Sequence, residues 1–340
     1  MKNVTLGLNT SRRDFIKNTS LAAAGLCMAP GMFKNNVPGD PELITRYGCL
    51  FQNAKPLIAE QKMTEAGFDL VRVPVFLSEE FSKQGIDNYL TNGFSVQINL
   101  NWNKTQVPSD FPTPSDYPEA RKMAKKFFDH YRPYKDQIPL LCLGNEWDNL
   151  SYHSNSIIYY VYGLRLIVDL AHEFGFKVAD AGITSTSTKR WMYSQLSGAE
   201  ALLWKKNYWV AEDRADYQPL MQRIQFYIDH IQSVPIDYLN MHWYNIDHTA
   251  NGFPKAAGTY LKQCGKTEII TNEFGIKTPE LGLWKSTVKE VSSYQTDDGD
   301  KTTRFALAYS AQVNRPDNAI RLTDPMLAEL ANKTSGNIIS

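Results

Sequence analysis

The chain has 340 residues, of which 43% are hydrophobic, and its 36 basic and 36 acidic side chains cancel. This balance argues against nucleic acid and anionic membranes as partners, because both attract proteins with a basic excess. No apolar run reaches the roughly 18 residues that span a bilayer, and no low-complexity linker divides the chain, so we expect one globular domain without a transmembrane segment.

The N-terminus resembles a twin-arginine export signal. Arg12 and Arg13 are followed by Phe15 and then by a stretch of small and apolar residues. We therefore interpret residues 1–36 as an export signal with a short tail, and expect a periplasmic protein. A basic tail without a targeting role is one alternative. Cys27 would allow a lipoprotein anchor instead, although a leucine precedes it where a small residue is usual.

Residues 37–340 have a suitable length for an eight-stranded β/α barrel, and strand-like runs alternate along them with helical stretches. The predicted strands are 46–52, 68–75, 95–102, 139–146, 176–183, 236–244, 267–274 and 304–310, and the clearest helices are 119–134, 156–174 and 217–232. An open doubly wound sheet would show the same alternation, but no glycine-rich phosphate turn follows any strand. We predict a single α/β domain with the (β/α)8 TIM-barrel fold.

Polar side chains stand at the carboxyl ends of several predicted strands, where TIM barrels place their sites. In the second strand, Arg72 lies between two valines, and period-two alternation turns it toward the barrel axis, where a guanidinium needs an anionic partner. In the sixth strand, the same alternation places Asn240, His242 and Tyr244 on one face. These side chains are candidates for one shared site.

Two Asn-Glu pairs end apolar runs. Asn145-Glu146 closes the fourth strand and Asn272-Glu273 closes the seventh. Retaining glycosidases use two carboxyl groups about 5 Å apart, one as general acid/base and the other as nucleophile. Strands that converge on one barrel face can bring two such groups together, which indicates cleavage of a glycosidic bond.

The connection at 184–216, which we interpret as an insertion, is far longer than a usual strand-to-helix loop. It contains five large aromatic residues: Trp191, Tyr193, Trp204, Tyr208 and Trp209. Exposed rings would stack on the apolar faces of sugars and form subsites. A small core that packs the insertion against the barrel is an equally good interpretation.

Four motifs in strand order resemble those of clan A glycoside hydrolases, nearest the endoglucanase and mannanase type: V-R-V-P, N-E, H-W-Y and N-E-F-G. The resemblance covers nearly all of the mature chain. It implies that Glu146 protonates the glycosidic oxygen and that Glu273 attacks the anomeric carbon, forming a covalent glycosyl-enzyme. The negative charge of Glu273 and partial burial would keep Glu146 protonated until it is needed.

The same resemblance implies supporting roles. Asn145 would bind the sugar 2-hydroxyl, Arg72 and Tyr244 would hold the nucleophile ionised and oriented, and His242 would line the same subsite. The chain departs from the family at two strand ends. The family has a tryptophan at the end of the eighth strand and often a histidine at the end of the third. The further candidates for substrate contact are Asn101, Trp102, Trp147, Tyr309 and Trp284.

The sequence therefore predicts a retaining hydrolase that cleaves a β-linked oligo- or polysaccharide with two glutamates, needing no cofactor or protein partner. Two alternatives stay open. Glu146, Asp180, His242 and Glu273 could ring a divalent cation, as in barrels resembling the xylose isomerase type; the guanidinium of Arg72 opposes this because it would repel the metal. A barrel that binds glycan without cutting it is the other alternative.

Overall fold

The structure is a computed structural model, and it describes residues 45–50, 56–67, 69–80, 85–102, 111–150, 153, 156–245, 252–276, 280–309 and 323–334. The predicted export signal, including Cys27, lies outside the described residues. None of the helices in the described ranges is long and apolar enough to cross a membrane.

Strands and helices alternate along the described chain. The strands are β1 Arg46–Leu50, β2 Leu70–Phe76, β3 Ser95–Asn101, β4 Leu140–Leu143, β5 Val178–Asp180, β6 Leu239–Asn240, β7 Trp243–Asn245, β8 Ile269–Ile276, β9 Ser293–Thr296, β10 Gly299–Thr302 and β11 Phe305–Tyr309. The helices are α1 Pro56–Ala66, α2 Ile86–Thr91, α3 Tyr117–Tyr131, α4 Ile157–Glu173, α5 Ser185–Gln195, α6 Gly198–Tyr208, α7 Tyr217–Ile231, α8 Gly252–Gln263, α9 Leu281–Glu290 and α10 Asp324–Thr334.

The main sheet is a parallel barrel. Its strands are hydrogen-bonded in the order β5-β4-β3-β2-β1-β11-β8-β6, and β7 continues the sixth position and pairs with β8. Parallel bridges from Ala179 to Tyr238 and from Ile183 to Met241 join the two ends of this order and close the circle. The predicted (β/α)8 TIM barrel is confirmed, and each of the eight predicted runs contains a strand.

Amphipathic helices cover the barrel because their apolar residues recur at three- and four-residue spacing. In α3, the buried residues Ala120, Ala124 and Phe127 follow this spacing. The start of α4 is set by Ser156, whose hydroxyl accepts a hydrogen bond from the backbone N–H of Ile158, as expected of an N-cap. The bounds of both helices lie within three residues of those predicted.

Three helices, α5, α6 and α7, lie between β5 and β6. Trp191, Trp204 and Tyr208 in this region are buried, and the ring of Tyr208 meets that of Trp243 edge to face. These aromatic residues therefore form the small core that was one of the two interpretations of the insertion. Trp209 differs, since its side chain is 71% exposed.

A short antiparallel hairpin, β9 with β10, stands outside the barrel before the eighth barrel strand, β11. No element was predicted here, because both strands have only four residues and neither carries an apolar run.

Candidate active site

Glu273 lies near the carboxyl end of β8, a strand whose residues are all buried. Arg72 reaches it from β2, and its Nη1 donates to Glu273 Oε2 at 2.8 Å and to the Asn272 carbonyl at 2.8 Å. The hydroxyl of Tyr244 donates to Glu273 Oε1 at 2.7 Å. Each carboxylate oxygen therefore has a donor on a different strand, which fixes the orientation of the group.

The electrostatics keep both donors protonated. Burial lowers the pKa of Arg72, but the charge and hydrogen bond of Glu273 outweigh burial and raise it. Burial and the Glu273 charge both raise the pKa of Tyr244 well above its usual value. A guanidinium and a phenol that stay protonated can hold an adjacent carboxylate in place throughout the neutral pH range.

Glu146 lies beyond the end of β4, in a turn rather than in the strand. Gly144 has a φ of 94°, and Glu146 itself has a φ of 50°, the left-handed region that non-glycine residues rarely adopt. The backbone N–H groups of Glu146 and Trp147 donate to the carbonyls of Ala181 and Gly182 and hold the turn in place. Strain of this kind, on the order of 1–3 kcal/mol, is concentrated at functional sites.

The turn aims the Glu146 carboxyl group at His242. Glu146 Oε1 lies 3.2 Å from His242 Nδ1, and Oε2 accepts a hydrogen bond of 2.7 Å from Asn149 Nδ2. One carboxylate oxygen of Glu146, one of Glu273 and one ring nitrogen of His242 all lie within 4.8 Å of one another. This spacing is close to the roughly 5 Å of retaining glycosidases and shorter than the 6.5–9.5 Å that leaves room for the water of inverting ones.

Buried amides determine which nitrogen of His242 carries hydrogen. The backbone N–H of Asn272 donates to Asn240 Oδ1, so the Asn240 amide nitrogen faces Asn272 Oδ1, at 2.7 Å. Asn272 Oδ1 is therefore an acceptor, and His242 Nε2, 2.9 Å from it, must donate. His242 Nδ1 then faces Glu146 with one proton between them, either on the imidazolium or on the carboxylic acid.

The pKa shifts place that proton on His242 in the free protein. Burial raises the pKa of Glu146, but hydrogen bonds from His242 and Asn149 and the charge of His242 outweigh burial and lower it. Burial lowers the pKa of His242, but the charges of Glu273 and Glu146 outweigh burial and raise it. The expectation that Glu273 would keep Glu146 protonated is corrected here, because the imidazole faces both carboxylates and takes the proton instead.

Asn145 lies between the two glutamates. Its Oδ1 accepts hydrogen bonds from Arg72 Nη2 at 2.8 Å and from Asn99 Nδ2 at 3.3 Å. Asn99 Oδ1 in turn accepts from Asn272 Nδ2 at 2.8 Å. The sequence analysis missed Asn99, although an asparagine inside an apolar strand, on the same face as Asn101, indicates a buried polar network. Asn101 instead donates to backbone carbonyls of β2 and β3.

Two tryptophans proposed as substrate contacts are core residues. Trp147 is fully buried, and its ring stacks on Tyr227 with centroids 4.1 Å apart. Trp284 is also fully buried; it stacks on Phe274, and its Nε1 donates to the Met326 carbonyl. Neither side chain is available for substrate contact, because Trp147 packs against α7 and Trp284, on α9, packs against β8.

The remaining aromatic candidates, Tyr309 and Trp102, lie in different surroundings. Tyr309, at the end of β11, meets the Tyr244 ring edge to face with centroids 6.1 Å apart. It therefore stands beside the tyrosine that bonds Glu273. Trp102 is half-buried and lines a small apolar cavity of about 60 Å³ with Leu100 and Phe111.

Asp180 does not join the other acidic groups. It is fully buried and accepts hydrogen bonds from the Tyr227 hydroxyl and the Asn240 backbone N–H, both at 2.6 Å. Burial raises its pKa to about 7. Within the described ranges, the residues that could together hold a metal are Glu146, His242 and Glu273. The four-residue ring imagined for the isomerase alternative is therefore not formed, and Arg72 is bonded to one of the three remaining ligands.

The sequence matches no protein-family model and no curated protein. Solved structures share its fold. A family 30, subfamily 8 xylanase from Clostridium acetobutylicum aligns with a TM-score of 0.50 and 10% identity, covering 86% of this chain and 72% of that one. An exo-β-1,4-mannosidase from Opitutaceae bacterium strain TAV5 has a TM-score of 0.53 and 14% identity, covering 88% of this chain and 61% of that one.

A psychrophilic family 10 endo-β-1,4-xylanase aligns with a TM-score of 0.51 and 11% identity, covering 86% of this chain and 96% of that one. Identities this low show the fold alone. The chain thus shares its barrel with glycoside hydrolases of several families that act on β-linked glycans, and the alignments do not single out one family.

Proposed function

We propose that the protein is a retaining glycoside hydrolase that cleaves β-linked glycans, with Glu146 as general acid/base and Glu273 as nucleophile. The observation that carries the proposal is the close approach of these two carboxylates, within 4.8 Å, at the carboxyl ends of barrel strands. The fold shared with xylanases and a mannosidase is consistent with this chemistry.

In the first step, Glu273 attacks the anomeric carbon, the glycosidic C–O bond breaks, and Glu146 transfers a proton to the leaving oxygen. His242 supplies that proton to Glu146 when the substrate binds. Displacing water disfavours the charged His242–Glu146 pair, so the proton moves across 3.2 Å from Nδ1 to the carboxylate. Arg72 and Tyr244 orient the attacking group during this step.

In the second step, water attacks the glycosyl ester and Glu146 accepts the proton of that water. Formation of the ester removes the negative charge of Glu273. Glu146 has already given up its proton to the leaving group, so it is ready to act as base. Asn145 contributes to binding in both steps: its oxygen is held by Arg72, so its amide N–H groups are the donors available for a sugar hydroxyl.

The proposal is tested by measuring reducing sugar released from β-glucans, mannans, xylans and galactans in EDTA, with the wild type beside Glu273→Gln. We expect the wild type to cleave at least one class, with retention of anomeric configuration by NMR. The variant should lose several orders of magnitude while its melting temperature is retained. Near wild-type turnover by the variant would remove Glu273 as nucleophile, and loss of wild-type activity in EDTA would favour the metal-dependent alternative.

We also propose that the protein is exported. The proposal rests on the Arg12-Arg13 pair and the apolar stretch after it. Replacing both arginines by lysine should retain the full-length chain in the cytoplasm, whereas the unaltered chain should be recovered outside it. Equal export of the two would contradict a twin-arginine route.

A further inference from the structure

A cavity of about 710 Å³ opens beside Glu146. Glu146 and Tyr244 line it, whereas Glu273 does not. In the proposed reaction the acid stands next to the leaving oxygen, so the Glu146 side of the site receives the leaving sugar. The volume is within the range of small-molecule sites, about 300–1,000 Å³. The inference below rests on the proposed function, because it is that function which makes this cavity a leaving-group subsite.

Guanidinium groups form one side of the cavity. Arg190 Nη1 and Arg214 Nε both bond the same carboxylate, that of Asp216, at 3.1 and 3.0 Å. The hydrogen bond from Arg214, aided by Arg190 and opposed by slight burial, lowers the pKa of Asp216, so this carboxylate is ionised. Because the two guanidiniums share one aspartate, these three groups together carry one net positive charge. The Arg214 side chain is 61% exposed and lines the cavity, and its Nη2 also bonds Asp216, at 3.4 Å.

A third guanidinium, that of Arg223, also lines the cavity. Arg223 donates through Nε and Nη2 to the carbonyl of Trp147 at 3.2 and 2.8 Å, and its charge interacts with that of Asp148. The second aspartate of the lining, Asp148, is buried and is bonded by the N–H and hydroxyl of Thr184. The cavity lining thus has three guanidiniums and two aspartates, besides Glu146, whose charge is matched by His242.

The whole chain has a net charge of zero, so this local excess is a property of the cavity rather than of the protein. A concave surface with a net positive charge attracts anionic ligands. The guanidinium fork also matches the geometry of carboxylate and sulfate oxygens.

The rest of the lining suits a polar ligand as well. Thr184, Thr186 and Ser187 supply hydroxyl groups, and Tyr244 is the one aromatic residue among the lining residues that the structure describes. Subsites for neutral glycans usually place an aromatic ring under the sugar. We propose that this cavity binds an anionic sugar unit, bearing a carboxylate or a sulfate, on the leaving-group side of the cleaved bond, through Arg214 and its neighbouring guanidiniums.

The test compares matched glycans. The β-glucan, mannan and galactan of the activity panel are used unmodified, with their C6 hydroxymethyl groups oxidised to carboxylates, and sulfated. We expect the wild type to prefer an anionic form by about tenfold or more in kcat/KM, and salt to weaken the preference. A comparison of the oxidised with the sulfated glycans identifies which of the two anions the cavity prefers. Equal or better cleavage of the neutral parent would overturn the inference while leaving the hydrolase proposal intact.

Arg214→Gln should remove most of the preference, mainly through KM, and Arg214→Lys should restore part of it by returning the charge. The matched control is Arg121→Gln, an exposed arginine of α3 that pairs with Glu173 on the outer surface. This control should keep the wild-type preference, and an equal loss in both variants would contradict a local role for Arg214.

If no form is cleaved, the hydrolase proposal fails and binding decides the inference. Calorimetric titration of oxidised, sulfated and neutral oligosaccharides into the full-length protein then replaces kinetics. Tighter binding of an anionic form, weakened about tenfold in Arg214→Gln, supports an anion site. Binding with no preference, or no binding, overturns it.

Discussion

The two Asn-Glu pairs have the same sequence but opposite surroundings. Glu273 lies within a buried strand, and a guanidinium and a phenol on neighbouring strands bond its two oxygens. Glu146 lies outside its strand with a φ of 50° and shares a proton with His242. The difference shows that backbone conformation and cross-barrel partners, rather than the dipeptide, set the surroundings of each glutamate. These surroundings are the basis of the different roles that we propose for the two residues.

The asparagines of the two pairs differ in the same way. Asn272 is fully buried, and its backbone N–H and side chain bond Asn99, Asn240 and His242. Asn145 is half-buried, and its oxygen is bonded by Arg72. Asn272 therefore sets the tautomer of His242, whereas the Asn145 amide is the group that we propose to bind a sugar hydroxyl.

The largest expected effect is a difference between the two glutamate variants in how their activity depends on the leaving group of the substrate. Glu273→Ala should lose about four orders of magnitude on every substrate, because no covalent intermediate can form. Glu146→Ala should lose as much on natural glycans but retain most activity on aryl glycosides with good leaving groups, because protonation is then dispensable. Initial rates on a series of aryl glycosides measure this. Equal losses on good and poor leaving groups in Glu146→Ala would remove it from the acid role.

A second expected effect concerns the shared proton. The pKa of His242 is raised, so the pair keeps its proton up to a higher pH than a free imidazole would, and activity is lost as pH rises through that raised pKa. His242→Gln should lower kcat about 10- to 100-fold and move the alkaline limb of the pH profile to lower pH, because Glu146 must then hold the proton alone.

The control for this variant is His172→Gln, on the outer helix α4, where the imidazole bonds Asp237 away from the site. Its pH–rate profile should match that of the wild type. A His242→Gln profile that kept the wild-type alkaline limb would show that the proton is not shared.

The smallest expected effect concerns the space around His242. Gly182 has a φ of 84°, and a Cβ there would lie 2.7 Å from Asn240 Nδ2 and 2.8 Å from His242 Nε2. Gly182→Ala should therefore cost backbone strain plus crowding, about 2–4 kcal/mol of unfolding free energy, and should lower activity by displacing the imidazole. Gly299→Ala is the matched control, since its φ is 110° but a Cβ there meets nothing within 4 Å.

Denaturant unfolding and kcat measured on both glycine variants distinguish the two contributions. Gly299→Ala should cost about 1 kcal/mol and leave kcat unchanged, since only strain is added. If the two variants behaved alike, crowding of Asn240 and His242 would play no part.

Much of the fold followed from local patterns. Each of the eight predicted runs contains a strand, because an apolar run of strand length must be buried whichever elements surround it. Period-two alternation predicted that Arg72 turns toward the barrel axis and that Asn240, His242 and Tyr244 share one face. Their hydrogen bonds to Asn272 and Glu273 agree with both predictions. Two predicted substrate contacts were wrong: Trp147 follows a polar strand end and Trp284 lies in α9, and both side chains pack into the core.

The sequence by itself determined the barrel and the strand ends that carry polar groups, the two glutamates among them, because both depend on periodicity along single strands. Only the tertiary structure decided that Glu146 leaves its strand in a left-handed turn, that His242 holds its proton, and that guanidiniums from α5 to α7 surround the neighbouring cavity. These features depend on contacts such as that of His242 with Glu146, 96 residues apart. No local pattern encodes such contacts, since closure of the barrel is what brings the residues together.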